Sequence, residues 1–166
     1  MSRNSDPAGD EGFHVSGQWQ LVSLQPPVNP VTDGVSFTVS DMNGTTIFSR
    51  TIPPGAAPTT RSPGWRVLNR QGTHWLFTDR SGTLAGGITQ VTIMRSASTG
   101  LVSFSAGGSK ANFQVKPGET PVQLLFVLGG PSQAANRLCA TRAFSAPGGT
   151  APICTMARTG TSLSCH

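Results

Sequence analysis

The sequence predicts an all-β protein, an antiparallel β-sandwich with Greek-key-like connections, in which two small lobes are allowed for. Three observations carry this expectation. Charged residues make up only 11% of the 166 positions, against about 25% in an ordinary globular chain. The residues that helices place on their wet faces are scarce, since Lys110, Lys116, Glu11 and Glu119 are the only Lys and Glu. Val, Thr and Phe recur in short runs punctuated by 20 Gly and 13 Pro, the pattern of half-buried strands joined by tight turns. With 36% hydrophobic residues in patterned runs, the chain has enough apolar surface to bury a core rather than stay disordered.

Residues 1–12 show no apolar periodicity and are expected to form a flexible N-terminal tail. This leaves 13–166 as a single β-rich domain with a lobe boundary near 80–87. Phe13–Leu24 alternates and then thickens into a β run, which Pro26, Pro27 and Pro30 interrupt because Pro cannot donate to a ladder. Next comes the clearest hairpin. Val35–Asp41 and Thr45–Ile52 flank Asn43-Gly44, the strongest short-range signal for a two-residue type I′ turn. In that register Val39 faces Phe48 and Val35 faces Ile52. One face then carries Val35, Phe37, Val39, Phe48 and Ile52, while Ser and Thr dominate the other.

Residues 53–64 read as a loop. Trp65–Leu68 and His74–Asp79 flank a turn at Asn69–Gly72, and the Gly-rich stretch 80–87 leads into a strand over Ile88–Met94. Leu101–Ser105 and Ala111–Val115 flank Gly107-Gly108, which again suits a tight hairpin. Val35–Val39 (VSFTV) and Val102–Ala106 (VSFSA) look alike, which is the hint of two related lobes. Val122–Leu128 is almost wholly apolar and is expected as a central strand with Leu124, Phe126 and Leu128 in the core. Leu138–Phe144, Ile153–Ala157 and Ser162–Cys165 complete the series.

All three cysteines, Cys139, Cys154 and Cys165, fall near the C-terminus. Neither CxxC nor a Cys/His quartet is present, so no metal site or other cofactor is expected. A turn at Thr159-Gly160 sets Cys154 opposite Cys165 and Met156 opposite Leu163. The expected disulfide is therefore Cys154–Cys165, with Cys139 as a free thiol; the rival pairing is Cys139–Cys154. A disulfide implies an oxidising compartment: extracellular, cell surface or periplasmic. No apolar segment approaches 18 residues, so no membrane span is expected. Residues 1–12 lack the apolar stretch of a signal peptide, so an exported chain is expected to begin after a removed leader.

The net charge is +5, with a sequence pI near 10.1. Its arginines are scattered singly, which argues against nucleic acid, whose footprint is a clustered basic stripe.

The stretch from His74 to Ser145 carries an aromatic strand ending in Asp (Trp75, Phe77, Asp79) and a GGI…V.I strand (Gly86, Gly87, Ile88, Val91, Ile93). A GLV strand (Gly100, Leu101, Val102), a Gly turn and a late strand with Cys139 and Phe144 follow, and the chain closes on ICTMARTGTSLSC. In these residues it resembles the C-terminal β-rich region of uncharacterised secreted bacterial proteins. The resemblance implies export and a β fold. It brings no activity and no functional residues.

Groups able to do catalysis are few: no Tyr, two Glu and three His. His74 and Asp79 lie five apart on one expected strand and so point to opposite faces, which excludes them as triad partners. GxSxG and SxxK are absent. Gly82–Gly87 lacks the Lys-Ser/Thr ending of a phosphate loop and precedes a strand. Asp41–Gly44 lacks the further carboxylates of a calcium loop. No catalytic or metal-ligating residue is assigned, and the protein is expected to be no enzyme.

Trp65 with Arg66, and Trp75, are the candidate ligand-binding residues, through stacking on a sugar or cation–π contact. The competing reading packs Trp19, Trp65 and Trp75 in the core, because Trp is highly buried on average. The function expected is that of an extracytoplasmic structural or adhesive module, acting by self-association or on a cell-surface polymer. The alternative is a carbohydrate-binding module using exposed Trp. A hydrolase with an unrecognised site stands third.

Overall fold

The computed structural model describes residues 2–3, 11–21, 28–112, 116, 118–129, 138–146, 148–150, 152–156 and 162–165. Its strands are β1 (Ser2–Arg3), β2 (Glu11–Gln20), β3 (Val35–Asp41), β4 (Thr46–Ile52), β5 (Gly64–Val67) and β6 (His74–Thr78). They continue with β7 (Ile88–Arg95), β8 (Leu101–Ala111), β9 (Val122–Leu128), β10 (Cys139–Ala143), β11 (Cys154–Met156) and β12 (Ser162–Cys165). One helical turn, α1 (Pro30–Asp33), precedes β3. The Asn29 side chain accepts the Val31 N–H there, and Pro30 supplies a preset φ in the first turn.

The strands build an antiparallel β-sandwich. One sheet has the order β2-β8-β7-β6-β5 and the other β10-β9-β3-β4, with a small third sheet β1-β12-β11. β5 to β8 form a meander onto which β2 closes. The chain changes sheet after β2, after β4 and after β8, so β9 returns beside β3 rather than beside its neighbour β8. These returns are the Greek-key-like element.

Alternation supplies the two inner faces. Val35 pairs with Ile52 and Leu128, and Val39 with Phe48 and Leu124, so their side chains share one face. The aromatics lock that face to the other sheet. Phe13 of β2 stacks on Phe37 of β3 at 5.4 Å, and Phe104 of β8 stacks on Phe126 of β9 at 4.1 Å. Each fully buried Phe of this kind contributes about 1.5–3 kcal/mol of apolar burial. Leu124, Phe126 and Leu128 are buried as the sequence predicts. Farther along the sandwich, Trp65 meets Phe77 at 5.4 Å, and its Nε1 donates to Pro53 O at 2.9 Å.

Arg50 ties the sheets together at one margin. It lies opposite Phe37, with its guanidinium carbon 4.7 Å from the centre of the Phe48 ring. Nε donates to Gly86 O at 3.0 Å and Nη1 to Ser49 O at 2.7 Å, while Nη2 reaches Asn112 O at 3.5 Å. The Gly-rich connection 80–87 that it holds joins β6 to β7, which pair with each other in one sheet.

Several local expectations are corrected. Ser2–Arg3 pairs with β12, and Glu11 opens β2 opposite Ala111, so the span 1–12 is not a tail throughout. Ladder bonds use backbone groups, so polar residues without periodicity can be recruited to an edge. The hairpin turn is longer than the type I′ turn expected. Asp41 O accepts the Gly44 N–H, the Asp41 carboxylate accepts the N–H groups of Asn43 and Thr45, and a bulge follows Val39. An aspartate ahead of the turn stabilises a type I turn with Gly in the left-handed position, which adds one residue to the loop. Gly44 has φ +85.

Gly107-Gly108 makes no hairpin, because β8 runs straight through it for 11 residues. Gly108 is needed for a close approach instead. A Cβ on Gly108 would stand 2.0 Å from Gly87 O. The expected turn at Thr159-Gly160, and residues 113–115 of the strand expected over Ala111–Val115, lie outside the described residues.

Candidate functional site

Between the two large sheets, along the margin made by β2 and β10, lies a cavity of about 620 Å³. That is within the range of small-ligand sites, about 300–1,000 Å³. β2 brings Phe13, Val15 and Trp19 inward by period-two alternation, and β9 brings Leu124 and Phe126 from the facing sheet. Phe48, Phe104 and Phe144 complete the aromatic lining. Trp19 meets Phe104 edge-on at 5.7 Å and Phe126 at 5.3 Å. Its Nε1 is sealed from solvent and has no hydrogen-bond acceptor among the described residues. An orphaned donor of this kind costs about 1–3 kcal/mol until an acceptor meets it.

The rim is polar. Arg142 faces the same side as Leu124, its pairing partner in β9, yet its side chain is exposed. Pro152 and Cys165 wall one end of the cavity. Cys165 is held there by the disulfide to Cys154, whose Cα lies 4.0 Å away in the register Cys154↔Cys165. The pairing expected from the sequence is the one formed, and Cys139–Cys154 is excluded. Cys139 keeps its thiol, half-buried in β10 opposite Val127.

The other residues singled out in the sequence fall elsewhere. Trp65 and Trp75 are 1% and 2% exposed and belong to the core. They form no platform at the surface, because both alternate onto the inner face, opposite Phe77 and Ile93 respectively. Arg66 alternates the other way and stays at the outer face of the five-stranded sheet, apart from Trp65. His74 is half-buried in β6 and Asp79 is buried at the end of that strand. Around the cavity, the sequence points to Phe48, Leu124 and Phe126 only as core residues and to Trp19 only as one of three tryptophans, with no signal that sets it apart.

Two carboxylates are tuned by the backbone. Burial alone would push the Asp79 carboxyl up. Hydrogen bonds from the Ser81 hydroxyl and from the N–H groups of Leu84, Ser81 and Gly82 outweigh it and hold the carboxyl below its usual value. Asp41 is also lowered, chiefly by the Thr45 N–H. Both organise turns rather than face the cavity. Among the described residues, no three of His, Cys, Asp and Glu gather as a metal-holding group, and no helix is long and apolar enough to cross a membrane. No protein-family model, curated protein or solved structure matches the chain.

Proposed function

We propose that this protein is a non-enzymatic, extracytoplasmic binding module that holds an apolar small molecule between its sheets. The observation that carries the reading is Trp19. Its indole N–H is shut away from solvent without an acceptor among the described residues, on the wall of an aromatic cavity of about 620 Å³. A ligand with an apolar body would fill the space, and one bearing a carbonyl, ether or carboxylate oxygen would satisfy that donor once the indole turns toward it. Arg142, exposed on the rim, favours an anionic end on such a ligand. The compartment rests on the Cys154–Cys165 disulfide, since such bonds persist where the surroundings are oxidising. The resemblance of residues 74–145 to secreted bacterial proteins supports the same location.

Ala140 tests the reading. It pairs with Phe126 and lines the cavity, so Ala140→Trp fills space without removing a contact. Titration with decanoic acid and with 1-anilinonaphthalene-8-sulfonate is expected to show saturable binding that Ala140→Trp abolishes. Equal affinity in the folded variant, or no binding of either probe, rejects the proposal.

A second reading, self-association, is favoured by the exposed end of the edge strand β5, beyond the bridge of Ala56 to Trp65. Val67 and Leu68, at the end of the edge strand β5, are 50% and 48% exposed. A concentration-dependent increase in mass that Val67→Lys prevents would support it. A monomer at all concentrations would reject it.

A further inference from the structure

Arg66 leads to a second site, on the opposite side of the five-stranded sheet from the cavity. Three arginines, Arg61, Arg66 and Arg80, line a groove of about 420 Å³ at the end of the strand pair where the loop before β5 meets the loop after β6. The groove shares no lining residue with the inter-sheet cavity. Thr60, Thr78 and Gln90 line it as well, so its walls are polar. Thr78 and Gln90 pair across β6 and β7 on the outer face, the face of Arg66.

The positive charges of this groove are only partly offset from within. Asp79 is the one carboxylate along it, and both its oxygens are engaged: Oδ1 accepts from the Ser81 N–H and hydroxyl, and Oδ2 from the Leu84 N–H at 2.8 Å. Among the described residues none of the three guanidiniums forms an ion pair. Lys110 adds a further cation nearby, its Nζ donating to Arg80 O at 3.3 Å. Arg66 is the sharpest sign. Its Nε is sealed from solvent without an acceptor, and its Nη1 reaches Thr60 O only at a long 3.4 Å. Arg95 Nε is unpaired in the same way; what sets Arg66 apart is its place in the groove beside Arg61 and Arg80, where the long Nη1 bond to Thr60 O is readily exchanged for an arriving oxygen.

We propose that this groove binds a tetrahedral oxyanion, phosphate or sulfate, through Arg66 with Arg61 and Arg80. The planar guanidinium presents paired N–H groups that match two oxygens of such an anion, which an ammonium does not. Two sources supply this chemistry, the free inorganic ion or an ester on a hydroxyl-bearing body such as a sugar. The hydroxyl and amide groups of Thr60, Thr78 and Gln90 favour the ester.

The test is calorimetric titration of the whole chain at low ionic strength with inorganic phosphate, inorganic sulfate, glucose 6-phosphate, galactose 6-sulfate and glucose. Saturable binding is expected for the anions and none for glucose. Sugar esters binding at least about ten-fold more tightly than the free ions assign the ester, and equal affinities assign the inorganic ion. Arg66→Gln is expected to weaken binding by roughly ten-fold or more, and Arg66→Lys to restore little of it. Arg61 and Arg80 are exposed, so the double variant Arg61→Gln/Arg80→Gln probes the site even where the half-buried Arg66 cannot be changed without loss of folding. Arg70, exposed in the turn between β5 and β6, is the control, and Arg70→Gln is expected to bind as the unmodified protein does. The proposal is overturned by an absence of saturable anion binding, by full affinity in the double variant, or by an equal loss in Arg70→Gln. Because the two sites share no residue, failure here leaves the apolar cavity standing, and the reverse holds.

Discussion

The ring of Phe104 lies where a side chain on Gly17 would be. The two residues are opposed in the pair β2 and β8, and a Cβ built on Gly17 would stand 2.8 Å from Phe104 Cε1. The bare glycine lets the ring lie across the strand while stacking on Phe126 at 4.1 Å, which joins the two sheets beside the cavity. Gly17→Val therefore forces Phe104 off that stack. It is expected to destabilise the protein by about 1–3 kcal/mol, the usual cost of overpacking, and to weaken the apolar probe. Urea unfolding checks the first effect, and a midpoint within error of the parent would show that Phe104 is not constrained by Gly17.

Gly44 isolates backbone strain from packing. Its φ is +85 and no atom lies within 4 Å of a Cβ placed there, so a substitution meets open space but an unfavourable conformation. Gly44→Val is expected to cost about 1–2 kcal/mol, since a β-branched residue resists the left-handed region. Thermal unfolding reads this directly, and an unchanged melting temperature would mean that the turn reforms without positive φ.

Reduction of Cys154–Cys165 bears on one part of the molecule. The two residues are 11 apart in sequence, a short loop for which the chain-entropy account allows at most about 3 kcal/mol. Hydrogen exchange after reduction is expected to quicken in β11 and β12 while β3, β8 and β9 stay protected. Equal acceleration throughout would show that the small sheet and the sandwich unfold as one. Peptide mapping without reductant should link Cys154 to Cys165 and leave Cys139 unlinked.

Asp79 predicts a pH dependence with a definite sign. Its carboxyl titrates lower in the folded protein than in the unfolded chain, so the folded state favours the ionised form. The stabilisation is complete above the unfolded value of about 3.9 and is lost as pH falls through the lower folded value. Melting temperatures measured from pH 7 to pH 3 should fall less steeply for Asp79→Asn than for the parent over the acid end. Identical slopes would remove Asp79 from the acid transition.

Where the information is local, it can be read along the chain. Val35 facing Ile52 and Val39 facing Phe48 are expected from alternation on either side of one turn, and both pairs form because the bulge after Val39 offsets the longer turn. The same arithmetic places Cys154 opposite Cys165, and the disulfide forms there. The all-β class follows from composition, because a chain poor in Lys and Glu has little with which to clothe a helix.

What the tertiary structure decided depends on strands far apart in sequence. Gly107-Gly108 looks like a turn until Gly87 is seen to pass against Gly108, which leaves no room for a side chain there in a straight strand. Trp65, Trp75 and Trp19 read alike as residues. Pairing with β6 and β7 sinks the first two into the core, while β2, at the sheet margin, leaves Trp19 half-buried beside the open space between the sheets. Neither that cavity nor the groove holding Arg61, Arg66 and Arg80 has a signal in the linear pattern. Periodicity says which face a side chain takes, but only the long-range pairing of β2 with β8 and of β9 with β3 determines what stands opposite that face.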